Sequence, residues 1–438
     1  MGGVHKRPKK HLRFSNLLKC LQEAINEIDD CRTAEKTIYT LSDFYTCGFA
    51  IFFLQDKSVL EFQRRLQKEI NRNNLCTVFN IKNLPSDTQL RDVIDNHSYK
   101  PIQKVFKQYF SILQRGKYLS QFQFLDSTYL ITIDGTEYFS SESIHCKKCL
   151  YSKTKEGGLR YHHQILQATL VHPEMRQVIP FAPEFIRNRD GQEKQDCERN
   201  AGKRLINRIK KDHPFLHVVI GGDSLYSNQP FINELRKNNF SYILTAKPND
   251  HKSLYADIQG LRRSGLLDNV EKKENKRKYV YEWVNDVPLN DNPESPLVNF
   301  VQLQIYKGEK MTFKSAWITD VKITNENVFE IVAGGRARWK IENEGFNTLK
   351  NHGYHHEHNF GHGKKNLSEA LFILNLLAFY FHQIFSLSNY HYQTARADFS
   401  ARIEYWNFIR SIFRIFLFDS WEQLLERMNS PPTSFIEK

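Results

Sequence analysis

This 438-residue sequence predicts an α/β fold: a mixed sheet flanked by helices, with a β-rich insertion and a helical N-terminal region. Three observations carry that expectation. Two apolar runs, Tyr129-Leu130-Ile131-Thr132-Ile133 and Val218-Val219-Ile220-Gly221-Gly222, each lead into an aspartate, Asp134 and Asp223. The second run is followed by a helical pattern through Phe231 and Leu235 and then by a further strand, Ser241–Thr245, which is the order of a parallel crossover. Finally, the runs 278–284, 297–306 and 312–319 alternate apolar and polar side chains at strand period before a basic helical stretch begins.

Taken from the N-terminus, residues 1–95 read as a helical DNA-binding domain behind a basic arm, with a purely structural helical cap as the other reading. His5-Lys6-Arg7-Pro8-Lys9-Lys10-His11 is the arm, and helical patterns run through Phe14–Ile28, about Leu41–Leu54 and Val59–Arg72. A helix start is expected near residue 87, from Leu84-Pro85-Ser86-Asp87. Residues 96–250 and 325–390 form the expected sheet-bearing domain. Its first strand ends at Asp134, with Gly135-Thr136 as the turn, and strands over 160–171 and 176–181 come next. A polar helix spans about Asp196–Lys211, and the strand 215–221 leads to Asp223. Asp134 and Asp223 are 89 residues apart, whereas Asp223 and Glu342 are 119 apart, more than one strand and one helix require. The excess is the insertion, 251–324, with strands over 278–284, 297–306 and 312–319 separated by Pro288, Asn290-Asp291-Asn292-Pro293 and Lys307-Gly308. The longest apolar stretch, Ala370–Phe381, follows Asn366-Leu367-Ser368-Glu369 and is interrupted by Asn375; it reads as a buried helix, not a membrane span. Residues 391–438 form a C-terminal helical region.

Carboxylates at the ends of buried strands are fixed by the sheet and exposed at its edge, which suits Mg²⁺ and reactive phosphates. Asp134, Asp223 and Glu342 are such a set, drawn from three parts of the chain. With these residues in place, the chain resembles the DDE transposases of bacterial insertion sequences, whose catalytic domain is RNase H-like and whose third acid lies in a motif Tyr-x2-Arg-x3-Glu-x6-Lys. Here Arg338-Trp339-Lys340-Ile341-Glu342 matches Arg-x3-Glu, and Phe346-Asn347-Thr348-Leu349-Lys350 carries the Lys. Ser86-Asp87-Thr88-Gln89-Leu90-Arg91 also resembles a segment upstream of the catalytic core in these enzymes. Two positions depart from the pattern: Gly335 stands where the Tyr is expected, and seven residues instead of six separate Glu342 from Lys350.

The resemblance implies cleavage at element ends followed by strand transfer into target DNA, on paired ends held by a homodimer. Asp134, Asp223 and Glu342 would be catalytic and would hold two Mg²⁺ or Mn²⁺ ions about 3.5–4 Å apart. Arg338 and Lys350 would hold phosphates. On an α-helix at about 100° per residue, Arg338, Glu342 and Lys350 share one broad face, while Glu344 points about 120° from Arg338. Glu342 is therefore preferred as the third acid, with Glu344 as its competitor. The insertion resembles the one that a branch of these transposases carries before the catalytic Glu. Lying over the DNA end, it would offer Trp283 or Trp317 to stack on an unpaired base; otherwise both are core of a small sheet.

Composition agrees with a nucleic-acid partner. Lys+Arg number 62 against 49 Asp+Glu, a net charge of +13, and the pI is about 9.2, which suits a phosphate backbone. Lys6, Arg7, Lys9 and Lys10 are the expected DNA contacts of the arm. The basic start lacks the apolar segment of a signal peptide, so a cytoplasmic protein with no membrane partner is expected. Cys20, Cys31, Cys47 and Cys76 read as reduced core thiols. Cys146-Lys147-Lys148-Cys149 is different, because Cys-x2-Cys presents two thiolates to one structural Zn²⁺, with His162, His163 or Cys197 as further ligands; a reduced turn is the other reading. The cluster His352, His355, His356, His358 and His362 has no clear ligand spacing and reads as DNA-facing or core-satisfied, with zinc binding as a further reading. Two other functions fit the same residues: a catalytically inactive transposase-derived DNA-binding protein, and an RNase H-like structure-selective nuclease.

Overall fold

The computed structural model describes residues 9–33, 37–66, 69–188 and 196–430, apart from the side chains of 69–73. Lys6 and Arg7 of the basic arm lie outside the described residues.

The described strands form one mixed sheet of twelve. In chain order they are β1 (Gln123–Phe124), β2 (Thr128–Ser141), β3 (Leu150–Lys153), β4 (Leu159–Leu170), β5 (Ile179–Pro180), β6 (Glu184–Ile186), β7 (Val218–Gly222), β8 (Ser241–Thr245), β9 (Asp268–Glu274), β10 (Arg277–Pro288), β11 (Leu297–Lys307) and β12 (Lys310–Thr319). The order across the sheet is β3-β4-β2-β7-β8-β12-β11-β10-β9. The pairs β2–β7 and β7–β8 are parallel and the remainder antiparallel. The helices Glu198–Asp212 and Gln229–Lys237 are the connections that parallel neighbours require.

The sequence places the first strand correctly but stops it too early. Gly135-Thr136 is not a turn: β2 continues to Ser141, with Asp134 opposite Gln167 of β4. Burial explains this, since Tyr138 packs in the core beyond the aspartate. The expected strand 176–181 is reduced to Ile179–Pro180, followed by the separate β6; Pro180 and Pro183 each lack the N–H that a continuous ladder needs. The strands of residues 251–324 do not form a sheet of their own. β12 pairs with β8 through Trp317 opposite Thr245, so these strands extend the same sheet.

The helix Leu367–Ser388 is the spine of the helical layer. It is long and apolar enough to cross a membrane, yet 94% of its most apolar stretch is buried within the fold. Helix Leu41–Phe53 lies against it, capped by reciprocal bonds between Thr40 and Asp43, with Phe49 and Phe53 ring centroids 4.9 and 5.9 Å from Phe381. Phe14 and Tyr109 reach the same phenylalanine. Trp406 and Trp421, from the C-terminal helices, pack on Phe53. N- and C-terminal helices therefore share one hydrophobic core with the spine.

The start of the spine is not capped as its Asn-x-x-Glu spacing suggests. Asn366 makes no side-chain cap bond. Asp95 accepts instead from the backbone N–H groups of Lys364, Lys365, Asn366 and Leu367, each at 2.9 Å, on the helix Asp87–Asn96 that Ser86 and Gln89 open with a capping box. Glu369 is thereby left to a buried ionic group, Arg187 at 2.5 Å and Lys148 at 2.7 Å.

Candidate functional site

Thr132 of β2 pairs in parallel with Gly221 of β7, so Asp134 and Asp223, each two residues farther on, stand level at the point where β7 ends. The Leu225 N–H donates to Asp223 Oδ1 at 2.9 Å and fixes that carboxylate in a turn. The third chain segment arrives through Arg338. Its Nη1 donates to Asp134 Oδ2 at 3.0 Å and to Glu342 Oε1 at 2.6 Å, bridging two acids 208 residues apart in sequence. Burial pushes Asp134 up to about 7; Arg338 opposes the rise, while the negative charges of Glu342 and Asp223 add to it.

Arg338, Glu342 and Lys350 do not share a single straight α-helix. Helix Val328–Arg336 ends before Arg338, a π-helix spans Ile341–Phe346, and Lys350 lies on the short helix Asn347–Asn351. A π-helix absorbs one extra residue in a helical run, which accounts for seven residues, where the motif has six, between Glu342 and Lys350. Glu344 turns away from the cluster, with its Oε2 3.7 Å from Arg176. Lys350 pairs with Glu357 at 2.8 Å.

Gly335 has a local cause as well. A Cβ there would lie 2.6 Å from Nε1 and 2.7 Å from Cε2 of Trp317. The indole occupies the space that a larger side chain three residues before Arg338 would need.

Of the two readings of Trp283 and Trp317, the structure corrects the DNA-stacking one and supports the core one. Both are buried, at 2% and 3% exposure, because the strands that bear them turn these side chains into the core of the extended sheet. Of the five tryptophans, Trp339 alone is exposed, at 43%, and it is adjacent to Arg338. Lys9 is engaged within the fold, its Nζ donating to the Gly116 carbonyl at 2.9 Å, while Lys10 is exposed.

One acid of the site went unread in the sequence. Glu198, in the first turn of its helix, receives a 2.5 Å bond from Gln164 Nε2 and sits over Gly135, where a Cβ would collide with its carboxylate. Burial, followed by the charge of Asp223, pushes Glu198 up. It lay inside a polar, helix-like run that gave no spacing signal.

Of the further partners expected for the knuckle cysteines, His163 is in place, His162 and Cys197 are not, and His362 was not among them. Cys146 and Cys149 meet His163 and His362. His162 points to the opposite face of β4, toward Glu137, and Cys197 is exposed at the start of helix Glu198–Asp212. His362 is thus buried and not DNA-facing, and it stands beside the two cysteines. Of its neighbours, His352 and His358 face solvent, and His356 is buried, which pushes its pKa down to about 3. Cys47 is a core thiol as expected, but Cys31 and Cys76 are exposed.

Residues 140–380, more than half of the chain, match the family described as Transposase DDE domain, a span that includes Asp223, Arg338, Glu342 and Lys350. The chain belongs to the DDE transposase family. Asp134 lies just before the matched span, and in this DDE transposase it is joined to the matched acids by the β2–β7 register and by Arg338. No curated protein matches the sequence. Among solved structures, a piggyBac transposase synaptic complex with hairpin DNA is similar at a TM-score of 0.43, with 12% identity over 98% of this chain and 85% of that one.

Proposed function

We propose that this DDE transposase is the enzyme of an insertion sequence, with an RNase H-like catalytic core. It acts in the cytoplasm as an endonuclease at its element's ends and then joins the freed 3′-hydroxyl to target DNA. The observation that carries the reading is the pair of hydrogen bonds from Arg338 to Asp134 and Glu342, which together with the β2–β7 register brings three acids from distant segments to the point where β7 ends. Such a gathering has no stabilising rationale of its own, since like charges brought together repel.

The donor set fits Mg²⁺ or Mn²⁺: three hard carboxylates, one of them held up to about 7 by burial and like charge, a penalty that a divalent cation removes. Asp134, Asp223 and Glu342 would be the ligands. When bound, the metal supplies Lewis-acid polarisation of the phosphate and lowers the pKa of the attacking water or hydroxyl. Arg338 keeps the carboxylates in register and presents planar donors to a phosphate oxygen. Lys350, beside an exposed Glu357, is a second phosphate contact. The exposed Trp339 is the aromatic placed to stack on a base at the DNA end. Binding of paired ends by a homodimer completes the reading.

The test is nicking of a duplex that carries the element's end. Cleavage is expected to require Mg²⁺ or Mn²⁺ and to be abolished by Asp134→Asn or Asp223→Asn, with duplex binding retained. Metal-independent cleavage, or full activity in either variant, would overturn the proposal.

A further inference from the structure

We infer that Cys146, Cys149, His163 and His362 form a closed tetrahedral Zn²⁺ centre that fastens the segment following the Arg338–Lys350 arm to the β2–β4 side of the sheet. All four ligand atoms lie within 4.8 Å of one another. Five of their six separations match a tetrahedron's edges, and the sixth, Cys146–His362, lies within 4.8 Å. Zn–S of about 2.3 Å and Zn–N of about 2.0–2.1 Å at tetrahedral angles give S···S near 3.8 Å, S···N near 3.6 Å and N···N near 3.3 Å. Here Cys146 Sγ and Cys149 Sγ are 3.9 Å apart. The sulfur–nitrogen distances are 3.6 Å for Cys146–His163, 3.4 Å for Cys149–His163 and 3.4 Å for Cys149–His362. His163 Nε2 and His362 Nε2 are 3.1 Å apart. A 3.9 Å sulfur separation is far too long for a disulfide, whose S–S bond is about 2.05 Å.

The surroundings fit a structural metal. Cys149, His163 and His362 are buried and Cys146 is partly so, leaving no open face for a substrate. The His362 Nδ1–H donates to the Gly363 carbonyl at 2.8 Å, which fixes the tautomer with Nε2 free as a ligand. The Cys146 N–H points to Cys149 Sγ at 3.4 Å and stabilises thiolate charge. Two thiolates and two imidazoles are the donor set of closed zinc sites, and two thiolates neutralise the dication.

The position gives the centre its role. Three ligands come from the β2–β4 region and the fourth from the loop between Lys350 and the spine helix Leu367–Ser388. Asp95 holds the far end of that loop through four backbone bonds, so zinc and Asp95 together fix the chain that leaves the arm. Zinc is a positioning element here, remote from the carboxylates in chemistry and in ligand type.

Protein purified without chelator should contain about one zinc per chain by elemental analysis. Cys149→Ser and His362→Ala should lose it, and His362→Cys, which preserves a tetrahedral ligand set, should keep it. Chelator-stripped protein titrated with Co²⁺ should develop the visible bands of a tetrahedral thiolate site. Amide exchange in residues 352–366 should rise on stripping while the β7–β8 pair keeps its protection. Zinc-free native protein without Co²⁺ bands, or a Cys146–Cys149 disulfide in fresh protein, would overturn the centre. Unchanged exchange in 352–366 would overturn its clamping role. If the ligand variants do not fold, the metal content and Co²⁺ titration of the wild-type chain still decide. None of these readouts uses cleavage, so this inference and the proposed activity fail separately.

Discussion

Trp317 packs against Gly335 and leaves no room for a side chain there: a Cβ would sit 2.6–2.8 Å from three atoms of the indole. Ala in place of Gly within a helix ordinarily adds about 0.5–1 kcal/mol of stability. Here overpacking against a buried ring outweighs that gain, and Gly335→Ala should destabilise the protein by about 1–3 kcal/mol. Combining it with Trp317→Phe should recover part of the loss. Denaturant unfolding of the two single variants and the double variant measures the coupling, and a neutral Gly335→Ala would show that the indole can move aside.

Asp134 makes the metal-free protein pH-sensitive. Burial, helped by the charges of Glu342 and Asp223, holds its folded-state pKa up at about 7, well above the usual aspartate range. The folded chain therefore holds a proton that the unfolded chain releases, and stability falls as pH rises between about 4 and 7. Asp134→Asn removes this penalty and should stabilise metal-free protein at pH 8, by on the order of 1–2 kcal/mol after solvent screening, with little effect below pH 4. Because cation and proton compete, Mn²⁺ affinity should climb with pH and level off above about 7. Calorimetric titration across that range checks the sign; binding that is flat with pH would be inconsistent with it.

Glu342 and Glu344 face different partners, Arg338 and Arg176 respectively. Glu342→Gln should lower end cleavage on the order of 100-fold or more, while Glu344→Gln should stay within a few-fold of wild type. Reversal of that ranking in a nicking assay would move the third ligand to Glu344.

The tryptophans should separate by burial. Trp339→Ala should weaken binding to an end-containing duplex by about 1–3 kcal/mol without lowering the melting temperature. Trp283→Ala and Trp317→Ala should cost about 3–5 kcal/mol of stability through core loss. Fluorescence anisotropy and thermal melting, run on the same preparations, distinguish a contact from a core residue.

Removing residues 1–95 should not leave a working core. The deletion strips Phe14, Phe49 and Phe53 from the face of Phe381 and removes the Asp95 anchor, so insoluble or molten protein is expected. The charge of the arm is better tested by Lys10→Ala in the full chain, where the logarithmic salt slope of duplex binding should fall by about 1. A soluble truncation with cooperative unfolding would contradict the shared core.

Strand period made the principal strands legible in the sequence: Ser241–Thr245 appears with the limits read from it, and the runs at 129, 218, 278, 297 and 312 are all strands. Local chemistry also announced the helix start at Ser86 and the Cys-x2-Cys knuckle, since capping and ligand pairs act over three or four residues. What lay beyond that range was decided only by the fold. β2 runs on through Gly135 because Tyr138 is buried on the far side, and β12 joins the sheet because β8 offers it an edge. The π-helix that absorbs the extra residue before Lys350, the indole that excludes a side chain at Gly335, and His362 closing a site with cysteines more than 200 residues away depend on neighbours that no local spacing encodes. Pattern is set by hydrogen-bond period and burial along the chain, whereas a site is set by which distant side chains compete for one volume or one charge.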